Sequence, residues 1–193
     1  MSMVPEILAF NREFVASRAY EAFKTDKFPN KKLVVITCMD TRLVELLPKA
    51  MNLRNGDFKL IKSAGAVVAH PFGSIMRSVL VAVYELGVRE VLVIGHHDCG
   101  MTGLEGKQIL DKLQSRGISP DVVETLRNAG IDLAGWLKGF DSPREAVKKS
   151  VSLIRRHPLL PGEIQVHGLM IHPATGNLER VAEEENYSPS GSR

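Results

Sequence analysis

Two stretches decide how this chain is read: Leu33-Val34-Val35-Ile36-Thr37-Cys38-Met39-Asp40-Thr41-Arg42 and Val91-Leu92-Val93-Ile94-Gly95-His96-His97-Asp98-Cys99-Gly100. Each opens with an apolar, largely β-branched run free of polar interruption, which predicts a short strand buried on both faces. Each closes on residues that can bind a metal or carry charge. In open α/β sheets, ligands bind beyond the carboxyl ends of the strands. Two thiols and an imidazole brought to that edge by two strands make a metal site the first expectation.

Composition sets the frame around those stretches. The chain has 193 residues, 44% hydrophobic and 24% charged, which fits an ordered globular protein with a sizeable core. One domain over 1–193 is expected, with a helical arm (1–27), an α/β core (28–187) and a frayed tail (188–193). A net charge of +3, dispersed along the chain, gives no reason to expect a nucleic-acid partner. No run approaches the roughly 20 apolar residues of a membrane span. Residues 1–10 lack the basic and apolar segments of an export signal, so a cytoplasmic location is expected. Cys38 and Cys99 are the only cysteines, and without an export signal metal binding or redox chemistry outweighs a disulfide.

Outward from the motifs, apolar runs alternate with helical patterns, the signature of βαβ units. Ser2–Lys24 reads as one amphipathic helix with Pro5 in its first turn and a stripe of Met3, Ile7, Phe10 and Phe14 drifting to Val15, Ala19, Ala22 and Phe23. That stripe suits either the chain's own core or a partner subunit. Leu43–Met51 reads as a helix interrupted by Pro48, and Phe58–Lys62 as a strand running into Ser63-Ala64-Gly65-Ala66. Ser74–Leu86 is the clearest helix, capped by Ser74 and ended by Gly87, with Ile75, Val79, Ala82, Val83 and Leu86 inward; it is expected to be central. Gly100–Arg116 begins with glycines and turns helical. Short helices follow at Pro120–Asn128 and Leu133–Lys138, then one from Ser142 to about Arg156, and a strand at Gln165–His172. Lys148, Lys149, Arg155 and Arg156 are read as a solvated face.

The chemistry follows from residue types. Zinc takes deprotonated sulfur or imidazole nitrogen in near-tetrahedral geometry, and Cys38, His96 and Cys99 offer three such ligands. Three protein ligands leave a fourth position, the mark of a catalytic site; it would hold water or Asp40, and His70, His97, His157, His167 and His172 stay open as alternatives. Arg42, two residues after Asp40, would keep that carboxylate ionised, and Asp40 could then accept a hydrogen bond from the attacking oxygen. Zn²⁺ with two thiolates and a neutral imidazole carries no net charge. It should therefore acidify water less than an all-imidazole site, where the pKa is about 7. Help is expected from the positive end of a helix starting near Gly100, and the activity optimum should be alkaline. Gly95, Gly100 and Gly103 lack dinucleotide-fingerprint spacing, Gly106-Lys107 lacks the upstream Gly of a phosphate loop, and no Cys-x-x-Cys occurs.

Cys38-x-Asp40-x-Arg42 followed by Gly95-His96-x-x-Cys99-Gly100, with Lys62-Ser63-Ala64-Gly65 between them, resembles the β-class carbonic anhydrases, most closely their compact prokaryotic branch. The resemblance runs from about Phe28 to His172. It implies an α/β/α sandwich on a mainly parallel central sheet with an N-terminal helical arm embracing a second subunit, in a homodimer or dimer of dimers. It implies Zn²⁺ on Cys38, His96 and Cys99, with Asp40 as a fourth ligand if the site is closed, and Asp40 and Arg42 as a catalytic dyad. The implied reaction is reversible hydration of carbon dioxide to bicarbonate and a proton, with His97, Asp98 and His70 as candidates for the proton route. The chain departs from the pattern at Ser63, where many members carry Asn, and Trp136 does not match the bicarbonate pocket that regulates some members. Two alternatives stand beside the hydratase: hydrolysis of carbonyl sulfide or carbon disulfide at the same zinc site, and a non-catalytic zinc or redox-sensing protein.

Overall fold

The computed structural model describes residues 2–181. The strands are β1 (Leu33–Cys38), β2 (Phe58–Ser63), β3 (Glu90–His96), β4 (Gln165–Ile171) and β5 (Leu178–Arg180). They form one sheet in the order β2-β1-β3-β4-β5, the first four parallel and β5 antiparallel to β4. The helices are α1 (Val4–Ala16), α2 (Leu43–Ala50), α3 (Ser74–Leu86), α4 (Gly106–Ser115), α5 (Pro120–Asn128), α6 (Leu133–Leu137) and α7 (Pro143–Arg155). The expected α/β sandwich on a mainly parallel sheet is what the chain forms.

Every residue of β1 is buried, because the strand lies between β2 and β3 and is covered on both faces. Val34 and Ile36 pack with Val91, Val93, Met76, Val79, Val147, Val151 and Ile154, the layer built with α3 and α7. Leu33 and Val35 pack with Leu43, Leu47, Ile94 and Ile171 on the α2 side. The chain leaves β1 through α2 to reach β2, and leaves β2 through α3 to reach β3. The strand order therefore reverses at β1, and a crevice opens between the carboxyl ends of β1 and β3, as the topology of open α/β sheets requires.

Several expectations are corrected. The single helix over 2–24 breaks after Ala16: Ser17 Oγ donates to the Phe14 carbonyl, Arg18 adopts φ 59°, and a 3₁₀ turn spans Ala19–Phe23. The turn folds the stripe back on itself and brings Phe23 within 6.4 Å of Phe14. Pro48 does not interrupt α2; it sits in the last turn. Gly73 rather than Ser74 occupies the cap of α3, and the buried residues of α3 are Met76, Val79 and Ala82, with Val81 and Tyr84 exposed, so this helix covers one side of the sheet and is not central. The helix expected near Gly100 starts only at Gly106, because Gly103 (φ 69°) turns the chain so that Thr102 bridges to Phe140. Strand β5 is too short and polar to be recognised. The frayed tail expected at 188–193 lies outside the described residues.

No residue of α1 or of the following 3₁₀ turn is buried, and Met3, Ile7, Leu8, Phe10 and Phe23 all lie exposed. The arm is tied to the body where Asn55 Nδ2 donates to the Phe23 carbonyl. Among the described residues, no helix is long and apolar enough to cross a membrane.

Candidate metal centre

Cys38 is the last residue of β1 and His96 the last of β3, so the parallel register delivers both to one edge of the sheet. The turn after β3 runs through Asp98 at φ 53° and brings Cys99 back to the same place. The ligand atoms of Cys38, His96 and Cys99 lie within 4.8 Å of one another, and all three residues are buried. They are the only such group of three among the described residues, so His70, His97, His157, His167 and His172 do not join it. His157 uses both ring nitrogens elsewhere, against the Pro71 carbonyl and the Leu159 N–H.

Three observations test whether these residues fit a zinc ion. The two sulfurs are 4.0 Å apart, far beyond a disulfide and close to the roughly 3.8 Å separating two sulfurs bound at about 2.3 Å from one tetrahedral ion. His96 Nδ1 lies 2.8 Å from the His97 carbonyl, which can only accept, so Nδ1 carries the proton and Nε2 presents its lone pair. That Nε2 is buried and without a hydrogen-bond partner, an arrangement a metal ion would relieve. The donor set fits.

Burial, reinforced by the neighbouring Cys38 thiol and only partly offset by the Met101 N–H, pushes the Cys99 thiol up to about 11. Without a cation Cys99 is therefore a thiol near neutral pH. The positive helix end expected beside Cys99 is absent, since α4 begins seven residues later; backbone amides stand in for it. The Gly65 N–H donates to Cys38 Sγ at 3.4 Å, an approach that needs the left-handed backbone of Gly65 (φ 72°).

Asp40 and Arg42 sit on the turn after β1. The Arg42 backbone N–H and Nε donate to Asp40 Oδ1 at 2.9 and 3.0 Å, and Nη2 donates to Oδ2 at 2.8 Å. These bonds hold the Asp40 carboxyl at about 2, below its ordinary 3.8, and the same contacts raise the Arg42 pKa. Asp40 Oδ2 is 3.8 Å from His96 Nε2, so the ionised carboxylate borders the three donors without joining their group. Two features escaped the sequence reading. Met101 and Phe140 pack against the cluster that contains both cysteines and form an apolar wall. Asp98 binds Arg42 rather than standing free. A signal for Phe140 existed in the neighbouring Gly139, whose missing side chain lets the backbone pass against the Met101 carbonyl.

A mostly parallel sheet carrying two cysteines and a histidine at its switch point, with a carboxylate–guanidinium pair beside them, defines a class that comparison with known proteins makes specific. Residues 33–178 match the family model described as carbonic anhydrase. The chain is 56% identical to the Bacillus subtilis protein named "Putative carbonic anhydrase YtiB", over 96% of this chain and 100% of that one. The crystal structure of a β-carbonic anhydrase from Trichomonas vaginalis superposes with a TM-score of 0.85 at 35% identity, covering 95% of this chain and 99% of the other. A carbon disulfide hydrolase from an Acidianus strain is 28% identical over 78% of each chain. The chain belongs to the carbonic anhydrase family, in its β class.

Proposed function

We propose that the chain catalyses the reversible hydration of carbon dioxide to bicarbonate and a proton, with zinc held by Cys38, His96 and Cys99 and with Asp40 and Arg42 as the catalytic pair. The observation that carries the reading is the buried, unpartnered Nε2 of His96 beside two thiols 4.0 Å apart. Zinc held there would supply a Lewis acid that activates water as the nucleophile, with the alkaline optimum expected of a charge-neutral ligand set. The protein's own groups do the rest. Asp40, ionised across the working range, accepts a hydrogen bond from the attacking water and so fixes which lone pair faces the substrate. Arg42 occupies both Asp40 oxygens, which favours an open site in which Asp40 is not a ligand. Met101 and Phe140 give a small apolar molecule a dry surface beside the donors.

The exposed apolar arm supports a homodimer in which residues 1–27 lie on the partner, with the zinc-binding core following from residue 28; the end of that core, expected at 187, lies outside the described residues. Two free cysteines support a reducing, cytoplasmic setting. The relative named as a carbon disulfide hydrolase keeps a second substrate in view, but at 28% it is less similar than the protein named "Putative carbonic anhydrase YtiB" at 56% and the Trichomonas vaginalis β-carbonic anhydrase at 35%. Stopped-flow carbon dioxide hydration by zinc-loaded protein, beside carbon disulfide hydrolysis on the same preparation, tests the reading. Hydration should dominate, Cys38→Ser should lose zinc and rate together, and Asp40→Ala should keep zinc and lose rate. Full zinc occupancy with no hydration would overturn it.

A further inference from the structure

Arg42 has five N–H donors, and Asp40 does not occupy them all. Nη1 donates to Asp98 Oδ2 at 2.9 Å and Nη2 donates to the Asp98 backbone carbonyl at 2.9 Å. Arg42 follows β1 and Asp98 follows β3, 56 residues on, so one guanidinium ties together the two turns that carry the three donors. The tie to the carbonyl depends on an uncommon backbone: Asp98 is at φ 53°, a left-handed conformation that aspartate tolerates better than most residues.

We infer that Asp98 is a positioning residue that latches Arg42 across the two turns, so that Arg42 keeps Asp40 facing the substrate and off the metal. Asp40 and Arg42 are neighbours on one turn, and their mutual bonds would survive if the pair swung as a unit. Asp98 is the contact that fixes the pair relative to β3, where His96 and Cys99 sit. It acts through Arg42 and touches neither metal nor substrate. The catalytic consequence rests on the assignment of Asp40 and Arg42 as the working pair; the latch itself does not.

Asp98→Gly deletes the carboxylate and keeps the positive φ, whereas Asp98→Asn keeps a hydrogen-bond acceptor of the same shape. An exposed charged pair of this kind is worth a few-fold, so kcat/KM for hydration should fall about fivefold in Asp98→Gly, mainly in kcat, and be largely restored in Asp98→Asn. The deciding readout is hydrogen exchange at the Arg42 Nη1–H, the group that donates to Asp98 Oδ2, followed by NMR in the folded protein. It should speed up in Asp98→Gly and stay slow in Asp98→Asn, with zinc content unchanged in both. If wild type proves inactive towards carbon dioxide while the exchange behaves as stated, the latch stands and the proposed reaction falls. Wild-type exchange at Arg42 in Asp98→Gly would overturn the latch whatever the rates.

Discussion

Replacing Gly65 with alanine tests the packing beneath the site. Gly65 is at φ 72°, and a Cβ there would lie 2.6 Å from Phe140 Cε1 and 3.2 Å from Met101 Cγ. Putting an L-residue in that backbone costs about 1–2 kcal/mol. Overpacking a closed contact costs roughly 1–3 kcal/mol more. The Phe140 ring has little freedom to retreat, since its backbone N–H donates to the Met101 carbonyl and its carbonyl accepts from the Gly103 N–H. Gly103→Ala supplies the control: it is also left-handed, at φ 69°, but nothing lies within 4 Å of its Cβ position. Thermal denaturation of the two variants, at about 2–4 °C per kcal/mol for a chain of this size, should show a drop of about 2–8 °C for Gly103→Ala and a larger one, about 4–20 °C, for Gly65→Ala. Zinc affinity should fall in Gly65→Ala alone, because its N–H would leave Cys38 Sγ. Equal losses in the two variants would refute the reasoning, since the contact with Phe140 would then impose nothing.

Four further outcomes follow from the site and the arm. Cys99 is held up to about 11, so zinc binding at pH 7–8 should release protons, measurable as buffer-dependent heat in calorimetry, and affinity should weaken as pH falls; a buffer-independent heat would contradict this. In the metal-free protein that raised thiol contributes stability below its ordinary pKa of 9.0, which should fade as pH rises from about 9 to 11. Arg42→Leu should move the Asp40 carboxyl titration, followed by NMR, from about 2 to at least its ordinary 3.8; because a lowered carboxylate stabilises the fold above its unfolded pKa, acid unfolding between pH 4 and 2 should begin at higher pH in the variant, and a wild-type midpoint near 4 would show that the pair is not formed. Removing residues 1–27 should convert the proposed dimer to monomers in sedimentation, and a full-length chain that sediments as a monomer, or an unchanged mass on removal, would assign the arm's apolar stripe to something else.

Much of this was legible because burial on both faces leaves a mark in sequence. Runs such as Leu33–Ile36 and Val91–Ile94 need no partner information to be read as central strands, and once they are parallel the residues at their ends must meet. Cys38, His96 and Cys99 were visible for that reason, and Asp40 and Arg42 by their spacing. What stayed hidden depended on backbone turns taken by ordinary residues. The left-handed conformations of Arg18 and Asp98 have no signature comparable to a glycine, so the break in the arm and the reach of Asp98 to Arg42 were not foreseen. The late start of α4 follows from a contact between Thr102 and Phe140, 38 residues apart, which local propensity cannot contain. On α3 the expected Val79 and Ala82 are buried and Ile75 and Val83 pack beside them, but Met76 was missed, because Met76 and Ile75 are equally apolar and only the sheet decides which is buried.

The central claim is that one divalent ion sits among Cys38, His96 and Cys99. Crystals of reduced, zinc-supplied protein measured at the zinc absorption edge test it most directly. One anomalous peak per chain is predicted, with two sulfurs at about 2.3 Å and one nitrogen at about 2.0–2.1 Å. A bond between Cys38 and Cys99 with no peak beside it, or a zinc peak held by other residues, would contradict it.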